Sequence, residues 1–318
     1  MAQRPILITG AAGFIGSSLA DQLLTQNIPV IGLDNFCDFY DPAIKHRNIE
    51  NAIKQPHYQI VQADLRDRQT IAQTLATHKP QAIIHLAAMA GVRPSIERPD
   101  LYTEVNLNGT VNLLDAAIAH GVEKFLFASS SSVYGNNEKA PFAESDRVDH
   151  PISPYAATKK AGELICHSYH HLNQLPITCL RFFTVFGPRQ RPDLAINKFL
   201  KLVSSGQPIP VFGDGSTSRD YTFVGDIVNG IAQSLEHCSD YHIYNLGGDS
   251  PVTLNKLIAT IEQVVGKSAI IDRKPMQPGD VNRTWADLSK ARKELGYAPS
   301  TSLLNGITQQ WQWLQSLA

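Results

Sequence analysis

The 318-residue chain has almost no excess charge and no long hydrophobic run. Its 28 Lys and Arg residues nearly cancel its 29 Asp and Glu residues, so no overall charge attracts nucleic acid or an anionic membrane. Charged residues or glycine interrupt each apolar stretch before it can span a bilayer, and the first residues do not resemble a signal peptide. We therefore expect a cytoplasmic protein that binds neither nucleic acid nor membranes.

Cysteine is also scarce in this sequence. The 4 cysteines, Cys37, Cys166, Cys179 and Cys238, form no CxxC pair and do not have the spacing of zinc ligands. Such a pattern is typical of a cytosolic enzyme whose cysteines are reduced and mostly lie in the core. We expect no bound metal.

Short apolar runs alternate with longer amphipathic stretches in the first half of the chain. The apolar runs lie at residues 6–9, 30–33, 58–61, 82–85 and 125–128. The amphipathic stretches lie at residues 15–26, 70–77 and 102–120. Because the runs are apolar throughout, they predict parallel strands that helices cover on both faces. The alternation predicts an α/β fold with a doubly wound parallel sheet of the Rossmann type.

The pattern changes after about Thr184, where the elements become shorter and breaks such as Gly187-Pro188 interrupt them. Helical patterns recur at residues 195–204, 226–236, 254–265 and 288–295. We predict that residues 1–183 form the sheet domain and residues 184–318 a smaller C-terminal lobe, from which some segments return to the first domain. Ligands of open α/β sheets bind at the carboxyl edge of the strands, where we expect the lobe to hold a substrate.

A glycine-rich segment, Gly10-Ala11-Ala12-Gly13-Phe14-Ile15-Gly16, follows the first predicted strand directly. Gly10 suits a tight turn, Gly13 lets the backbone approach a pyrophosphate, and Gly16 permits close packing of helix on strand. The helix that begins here offers free N–H groups to an anion. The GxxGxxG spacing is one residue longer than the standard dinucleotide fingerprint, so a simple tight turn is the alternative interpretation.

Asp34, at the end of the second predicted strand, favours the cofactor interpretation. A carboxylate at this distance from the glycines meets the adenosine ribose and repels a 2′-phosphate, which predicts NAD rather than NADP. An ordinary turn with Asn35 is the weaker alternative. Asp64-Leu65 and Leu86-Ala87-Ala88 follow later strands, where they either line the cofactor or simply pack.

Tyr155 and Lys159 lie one turn apart on the helix that Pro154 opens. A free tyrosine has a pKa of about 10, and a neighbouring ammonium lowers this pKa by stabilising the phenolate. Tyr155 is therefore a candidate base for a substrate hydroxyl, with Lys159 also holding the nicotinamide ribose. A bare YxxxK is common on helix surfaces, but the preceding strand ends in Ser129-Ser130-Ser131-Ser132-Val133-Tyr134-Gly135, which places Ser130 as a proton-sharing partner.

These motifs together resemble the extended short-chain dehydrogenase/reductase family. GxxGxxG, SSSSVYG and YxxxK occur in the family's order, and three later segments are similar to nucleotide-sugar 4-epimerases. Those segments are residues 181–188, residues 211–215 together with 219–221, and the stretch Pro278-Gly279-Asp280 with the residues up to Asp287. The resemblance implies catalysis by Ser130, Tyr155 and Lys159. It also implies an NAD site that is made of Tyr155 and Lys159 together with Gly10, Gly13, Phe14, Ile15, Gly16, Asp34, Asn35, Asp64, Leu65, Leu86, Ala87, Ala88 and Asn106.

The resemblance also implies a reaction. Family members oxidise C4 of a nucleotide sugar with NAD, after which dehydratases and decarboxylases use an acidic residue just before VYG. This chain has Ser130, Ser131 and Ser132 there, so we expect the hydride simply to return to the opposite face, which is 4-epimerisation. The alternatives are a dehydratase, a decarboxylase or a catalytically silent NAD sensor.

The segment around Thr184, RFFTVFGPRQRPD, and the stretch AGVR that ends in Arg93 are most similar to UDP-glucuronate 4-epimerases. We therefore expect UDP-glucuronate as substrate and UDP-galacturonate as product, with UDP-glucose or UDP-N-acetylglucosamine as alternative substrates. Thr184 and Arg191 are the hypothesised ligands of the C6 carboxylate, although Arg191 could instead brace its loop. The full expected substrate set is Arg93, Ser130, Ser132, Thr184, Arg191 and, for the diphosphate, Arg219 and Arg283.

The family resemblance further implies a homodimer built on the helices at residues 102–120 and after Tyr155. Leu113-Leu114 and Leu164-Ile165 are candidate interface residues, and ordinary core packing explains them equally well. Supply of a surface polysaccharide is the expected biological role.

Overall fold

The protein is described by a computed structural model that covers residues 3–275 and 281–317. Pro278, Gly279 and Asp280 of the C-terminal motif lie outside the described residues. The strands are β1 (Ile6–Thr9), β2 (Val30–Asp34), β3 (Tyr58–Gln62), β4 (Ala82–His85), β5 (Lys124–Ser130), β6 (Ile177–Phe182), β7 (Thr184–Phe186), β8 (Pro208–Phe212), β9 (Ser218–Phe223), β10 (Tyr241–Leu246), β11 (Pro251–Thr253) and β12 (Ile270–Lys274).

The α-helices lie mostly between these strands, as the amphipathic patterns predict. They are α1 (Phe14–Thr25), α2 (Pro42–Asn48), α3 (Glu50–Ile53), α4 (Arg68–His78), α5 (Val92–Glu97), α6 (Pro99–Thr103), α7 (Gly109–Ala119), α8 (Pro154–Asn173), α9 (Ala195–Ser204), α10 (Val224–Glu236), α11 (Leu254–Val265), α12 (Ser289–Leu295) and α13 (Leu303–Gln315). Among the residues that the structure describes, no helix is both long and apolar enough to cross a membrane.

The central sheet has seven strands in the order β10-β6-β5-β4-β1-β2-β3. The pairs β1–β2, β1–β4, β2–β3 and β4–β5 are all parallel. The chain turns from one half of the sheet to the other between β1 and β4, which is the switch point at which such sheets bind ligands. The predicted doubly wound Rossmann-type sheet is confirmed.

The chain forms two compact, interleaved units. The first unit consists of Met1–Gly135, Arg147–Arg181 and Ile231–Tyr244. The second unit consists of Asn136–Asp146, Phe182–Gly230 and Asn245–Ala318. The division into domains at residues 183 and 184 stays a prediction.

Each unit has its own apolar core. In the first unit, strand residues such as Leu7 and Phe125 pack with Leu113 and Leu114 of α7, all of them fully buried. In the second unit, a three-stranded sheet of order β11-β9-β7 and the pair β12–β8 accompany a core from α9, α11 and α13. Burying these side chains is the main force that stabilises each unit.

The helix predicted at residues 102–120 contains an irregularity that the sequence pattern did not reveal. A turn of π-helix, Glu104–Asn108, separates α6 from α7. Gly109 follows it, and a Cβ added there would lie 2.7 Å from the Cβ of Leu65. Such π-turns occur often at functional sites, and this one carries Asn106.

Candidate active site

The turn between β1 and α1 brings the backbone close to its neighbours at two glycines. Gly10 has φ +70°, and a Cβ added to it would lie 2.9 Å from the backbone nitrogen of Ala87. A Cβ on Gly16 would lie 2.2 Å from the carbonyl oxygen of Gly10. Gly13 caps α1 without a side-chain acceptor, so the helix begins with backbone N–H groups and the positive end of its dipole.

The side chain of Asp34 is buried and already bonded within the protein. Its Oδ2 accepts a hydrogen bond from the Ala12 N–H (3.1 Å), and its Oδ1 accepts from the Phe36 N–H (2.8 Å) and from Lys45 Nζ (3.1 Å). Lys45, which the sequence interpretation missed, is also buried. Its ammonium offsets the carboxylate charge, so the repulsion of a 2′-phosphate by Asp34 is weaker than the sequence alone suggests.

Asn35 and Asp64 form a second polar pair beside this one. Asn35 Nδ2 donates to Asp64 Oδ2 (2.9 Å), and Arg66 donates to both carboxylate oxygens of Asp64. The hydrogen bonds from Arg66 hold the pKa of Asp64 well below its usual range, so Asp64 is ionised at neutral pH. Leu65, between these charged residues, is buried.

His85, at the end of β4, is locked between two threonines. Its Nδ1 lies 2.7 Å from Thr9 Oγ1 and its Nε2 lies 3.0 Å from Thr110 Oγ1. Burial and then the charge of Lys159 lower the pKa of His85 to about 3, so the imidazole is neutral. Thr9 Oγ1 also accepts the N–H of Ala87 (3.1 Å), which fixes the segment Leu86, Ala87 and Ala88 beside Gly10.

Asn106 uses its side chain on the protein itself. Its amide accepts from the Met89 N–H (2.8 Å) and donates to the Met89 carbonyl (3.0 Å) and to Thr158 Oγ1 (3.1 Å). The residue is 3% exposed. These contacts shape the segment after Ala88 and connect it to α8, while direct binding of the cofactor by Asn106 stays a prediction.

Tyr155 and Lys159 lie on the first turns of α8, where Ser153 accepts the N–H of Ala156 as the N-cap. Lys159 Nζ lies 6.0 Å from the centre of the Tyr155 ring and donates to the carbonyl of Ala128 on β5 (2.7 Å). Burial lowers the pKa of Lys159 from 10.5 to about 8, so the ammonium persists at neutral pH.

Ser130 ends β5, and a 3₁₀ turn, Ser131–Tyr134, follows it. Ser130 Oγ accepts the Ser132 N–H (3.1 Å) and lies 3.2 Å from Ser132 Oγ. α8 packs on both β5 and this turn, so Ser130, Tyr155 and Lys159 belong to one packed arrangement. The arrangement offers a hydroxyl, a phenol and an ammonium at the carboxyl end of the sheet, which are groups suited to proton transfer at an alcohol.

The predicted substrate residues divide between the two units. Arg93, at the start of α5, is exposed and belongs to the first unit, as do Ser130 and Ser132. The second unit contains Thr184, Arg191, Arg219 and Arg283. Thr184 begins β7, opposite Tyr221 of β9.

Arg219 and Arg283 lie on neighbouring backbone segments, since Ser218 forms a β-bridge with Arg283. Arg219 Nη1 donates to the Ser218 carbonyl (2.9 Å), and Arg283 Nη2 donates to the Glu138 carbonyl (2.6 Å). Guanidinium groups on neighbouring backbone segments suit the oxygens of a diphosphate, for which these two arginines stay predicted ligands.

Asp220, which the sequence interpretation did not single out, fixes this part of the second unit. Its carboxylate accepts the N–H groups of Gly248 (2.6 Å) and Ala286 (2.9 Å). Burial raises the pKa of Asp220 to about 6. The side chain thus connects β9, which carries Arg219, to two segments that are distant in sequence.

Arg191 forms a two-pronged ion pair with Asp193. Its Nε and Nη2 lie 3.0 and 2.7 Å from the two carboxylate oxygens. This contact agrees with a role of Arg191 in bracing its own loop, and any second carboxylate would have to compete with Asp193. The structure thus gives a physical basis to the alternative interpretation of this residue.

Known proteins resemble the chain over nearly its whole length. The sequence model of the family described as GDP-mannose 4,6 dehydratase matches residues 7–310. A UDP-glucuronate 4-epimerase of Thermodesulfobacterium geofontis is 41% identical over 308 residues, which are 96% of this chain and 95% of that protein. The chain belongs to the nucleotide-sugar epimerases of the short-chain dehydrogenase/reductase family.

Solved structures of other epimerases share the fold of this epimerase. UDP-glucuronic acid 4-epimerase from Bacillus cereus, in complex with UDP-glucuronic acid and NAD, has a TM-score of 0.93 and 36% identity, covering 99% of this chain and 100% of that one. UDP-glucose 4-epimerase from Thermotoga maritima, with UDP-glucose, has a TM-score of 0.92 and 30% identity, covering 98% and 99%. The family assignment from the motifs is confirmed.

The name of the matched family refers to a dehydratase, but this epimerase has no carboxylate in the segment before VYG. Ser131 and Ser132 begin the 3₁₀ turn and offer only hydroxyl groups. A hydroxyl does not ionise near neutral pH, so these residues do not supply a general acid or base for chemistry at C5.

Proposed function

We propose that the protein is an NAD-dependent UDP-sugar 4-epimerase that converts UDP-glucuronate to UDP-galacturonate. The observation that carries this proposal is the arrangement of Ser130, Tyr155 and Lys159 beside a turn that offers only hydroxyls at Ser131 and Ser132. The first three residues suit oxidation of a sugar hydroxyl, and the other two give the 4-keto sugar no group that would divert it from reduction.

The first unit has a backbone cradle that fits NAD. Any Cβ on Gly10 or Gly16 would collide with nearby backbone, so the turn at the start of α1 is kept free of side chains. Gly13 and the N-terminus of α1 would hold the pyrophosphate, and Asp34 would meet the adenosine ribose. When bound, NAD supplies the acceptor for the C4 hydride and its return.

The residues of α8 and β5 manage the proton in this proposal. Tyr155 takes the proton of the C4 hydroxyl during oxidation and returns it during reduction. The ammonium of Lys159 favours the phenolate of Tyr155 and holds the nicotinamide ribose. Ser130 hydrogen-bonds the same sugar oxygen. Since the two half-reactions cancel, turnover needs no net oxidant.

The second unit supplies the proposed contacts to the nucleotide sugar. Arg219 and Arg283, on neighbouring backbone segments, are the proposed ligands of the diphosphate, and Thr184 and Arg191 are the proposed ligands of the C6 carboxylate. The similarity to the Bacillus cereus enzyme with UDP-glucuronic acid supports this choice of sugar.

UDP-glucose is the second candidate substrate, and one observation favours it. Arg191 is already paired with Asp193, which reduces what it can offer to a sugar carboxylate. The Thermotoga maritima enzyme with UDP-glucose also has nearly the same fold. If the Arg191–Asp193 ion pair opens when a carboxylate binds, UDP-glucuronate is favoured as substrate. If the pair stays closed, UDP-glucose is favoured.

We also propose that the enzyme is a cytoplasmic homodimer that supplies sugars for a surface polysaccharide. The four cysteines are free, as is typical of a reducing compartment. Leu164 and Leu172 on α8 are 58% and 77% exposed, so they offer apolar surface to a partner. Leu113 and Leu114 lie in the core, where they are not available for an interface.

Activity should decline above about pH 8. Burial lowers the pKa of Lys159 to about 8, so the ammonium that favours the Tyr155 phenolate is lost as the pH rises through this value. The measurement is kcat for UDP-glucuronate as a function of pH. Lys159→Arg keeps its charge at high pH, so its residual activity should lack this decline. A wild-type kcat that stays constant from about pH 7 to about pH 10 would contradict the role of Lys159.

Arg191→Ala should lower kcat/KM for UDP-glucuronate by roughly tenfold to a hundredfold, the effect of losing a hydrogen bond to a charged group. The same variant should leave kcat/KM for UDP-glucose unchanged, because that sugar has no carboxylate. Asp193→Ala is the matched control, since it removes the ion pair but leaves the guanidinium for the substrate. If the two variants lose activity equally on both sugars, Arg191 only braces its loop.

The double variant in which both Leu164 and Leu172 are changed to glutamate should be a monomer, because charged side chains at an interface are costly to bury. Light scattering during gel filtration measures the mass. Ile53→Glu is the matched control, since Ile53 is 53% exposed on α3 and lies outside the proposed interface. A wild-type monomer, or a double variant that remains dimeric, would show that α8 does not form the interface.

A further inference from the structure

We propose that Glu163 and Arg181 are positioning residues for the reaction. They hold both ends of the segment 129–134, which carries Ser130 and Ser132. The inference rests on the proposed 4-epimerisation and names residues outside the predicted site that this activity needs.

Glu163 and Arg181 form an ion pair inside the first unit. Arg181 Nε and Nη2 donate to the two carboxylate oxygens of Glu163, at 2.8 and 2.9 Å. The side chains are 0% and 1% exposed. Because bidentate hydrogen bonds between a guanidinium and a carboxylate fix both planes, each residue has a single orientation in the core.

Glu163 holds the start of the segment. Ser129 Oγ donates to Glu163 Oε1 at 2.7 Å, and Ser129 directly precedes Ser130. Burial raises the pKa of Glu163, but the hydrogen bonds from Arg181 and Ser129 outweigh it and lower the pKa overall. The carboxylate therefore stays ionised and continues to accept the hydrogen bond from the Ser129 hydroxyl at neutral pH.

Arg181 holds the end of the segment. Its Nη1 donates to the phenol oxygen of Tyr134 at 3.0 Å, and the guanidinium carbon lies 4.9 Å from the centre of the Tyr134 ring. Tyr134 closes the 3₁₀ turn that begins at Ser131. One ion pair thus fixes the residue before Ser130 and the last residue of the turn that follows it.

The same ion pair relates this segment to the proposed catalytic helix. Glu163 follows Tyr155 and Lys159 at intervals of four residues on α8, so the three lie on one face. Lys159 binds the Ala128 carbonyl and Glu163 binds the next residue of β5, Ser129. The position of Ser130 relative to Tyr155 therefore depends on Glu163. Displacements of about an ångström between such groups are enough to slow catalysis.

The test uses two variants that each delete one hydroxyl that hydrogen-bonds to the ion pair. Removing Glu163 or Arg181 would break a buried ion pair and strongly destabilise the protein, so the test uses Ser129→Ala and Tyr134→Phe instead. Tyr169→Phe is the matched control. It deletes a phenol hydroxyl bonded to a carboxylate, that of Asp115, from the same helix but away from the segment.

We expect kcat for UDP-glucuronate to fall on the order of tenfold in Ser129→Ala and in Tyr134→Phe. The KM and the NAD content should stay at the wild-type values, because neither hydroxyl binds a ligand in this account. The thermal midpoint should fall by a few degrees, since each variant loses a buried hydrogen bond to a charged group, but both variants should remain fully folded at the assay temperature. Tyr169→Phe should match the wild type in kcat. This division between kcat and KM distinguishes positioning from a general loss of structure.

The outcomes separate this inference from the proposed function. A wild type that converts UDP-glucuronate, with both hydroxyl-deleted variants within about twofold of its kcat, would overturn the inference alone. The inference is also overturned if the loss appears in KM, or if circular dichroism shows the variants to be partly unfolded at the assay temperature. A wild type that converts no UDP-sugar would overturn the proposed function and this inference with it.

Discussion

The close packing of α8 on β5 is the constraint on which the site depends. A Cβ on Gly162 would lie 2.4 Å from the ring of Phe127, so only glycine allows this approach. Because α8 lies so close to β5, Lys159 reaches the carbonyl of Ala128 and Glu163 reaches the hydroxyl of Ser129. Backbone, ammonium and carboxylate contacts then hold Tyr155 and Ser130 in a fixed relation. The same packing removes water from Lys159.

The removal of water sets the electrostatics of the first unit. Burial lowers the pKa of Lys159 to about 8 and that of His85 to about 3, so the ammonium is the only one of these two groups that is charged near neutrality. A neutral His85 serves as a hydrogen-bonded spacer between β1 and α7. Burial also raises the pKa of the Cys179 thiol, which keeps it unreactive.

Elements with strong local patterns could be predicted from the sequence. Continuous apolar runs gave the positions of β1 to β5, because strands covered on both faces need apolar residues throughout. Tyr155 and Lys159 were placed on one helix face by their spacing alone. The carboxyl edge of the sheet then followed from the chain order of strand and helix.

Residues that depend on distant partners could not be predicted in this way. Glu163 and Arg181 are 18 positions apart, and Asp220 bonds backbone groups 28 and 66 positions away. No periodic pattern marks such contacts, because they exist only once the sheet has formed. Arg191 is the opposite case, since its partner Asp193 is a near neighbour that the sequence already displayed.

The most direct test of the account follows the hydrogen at C4. UDP-glucuronate that carries deuterium at C4 is incubated with the purified enzyme without added cofactor, and the product is analysed by NMR and mass spectrometry. If the proposed residues oxidise C4 and allow the same hydride to return, UDP-galacturonate keeps its deuterium at C4. Product that has lost this deuterium to solvent, or that has gained solvent hydrogen at C5, would contradict the account.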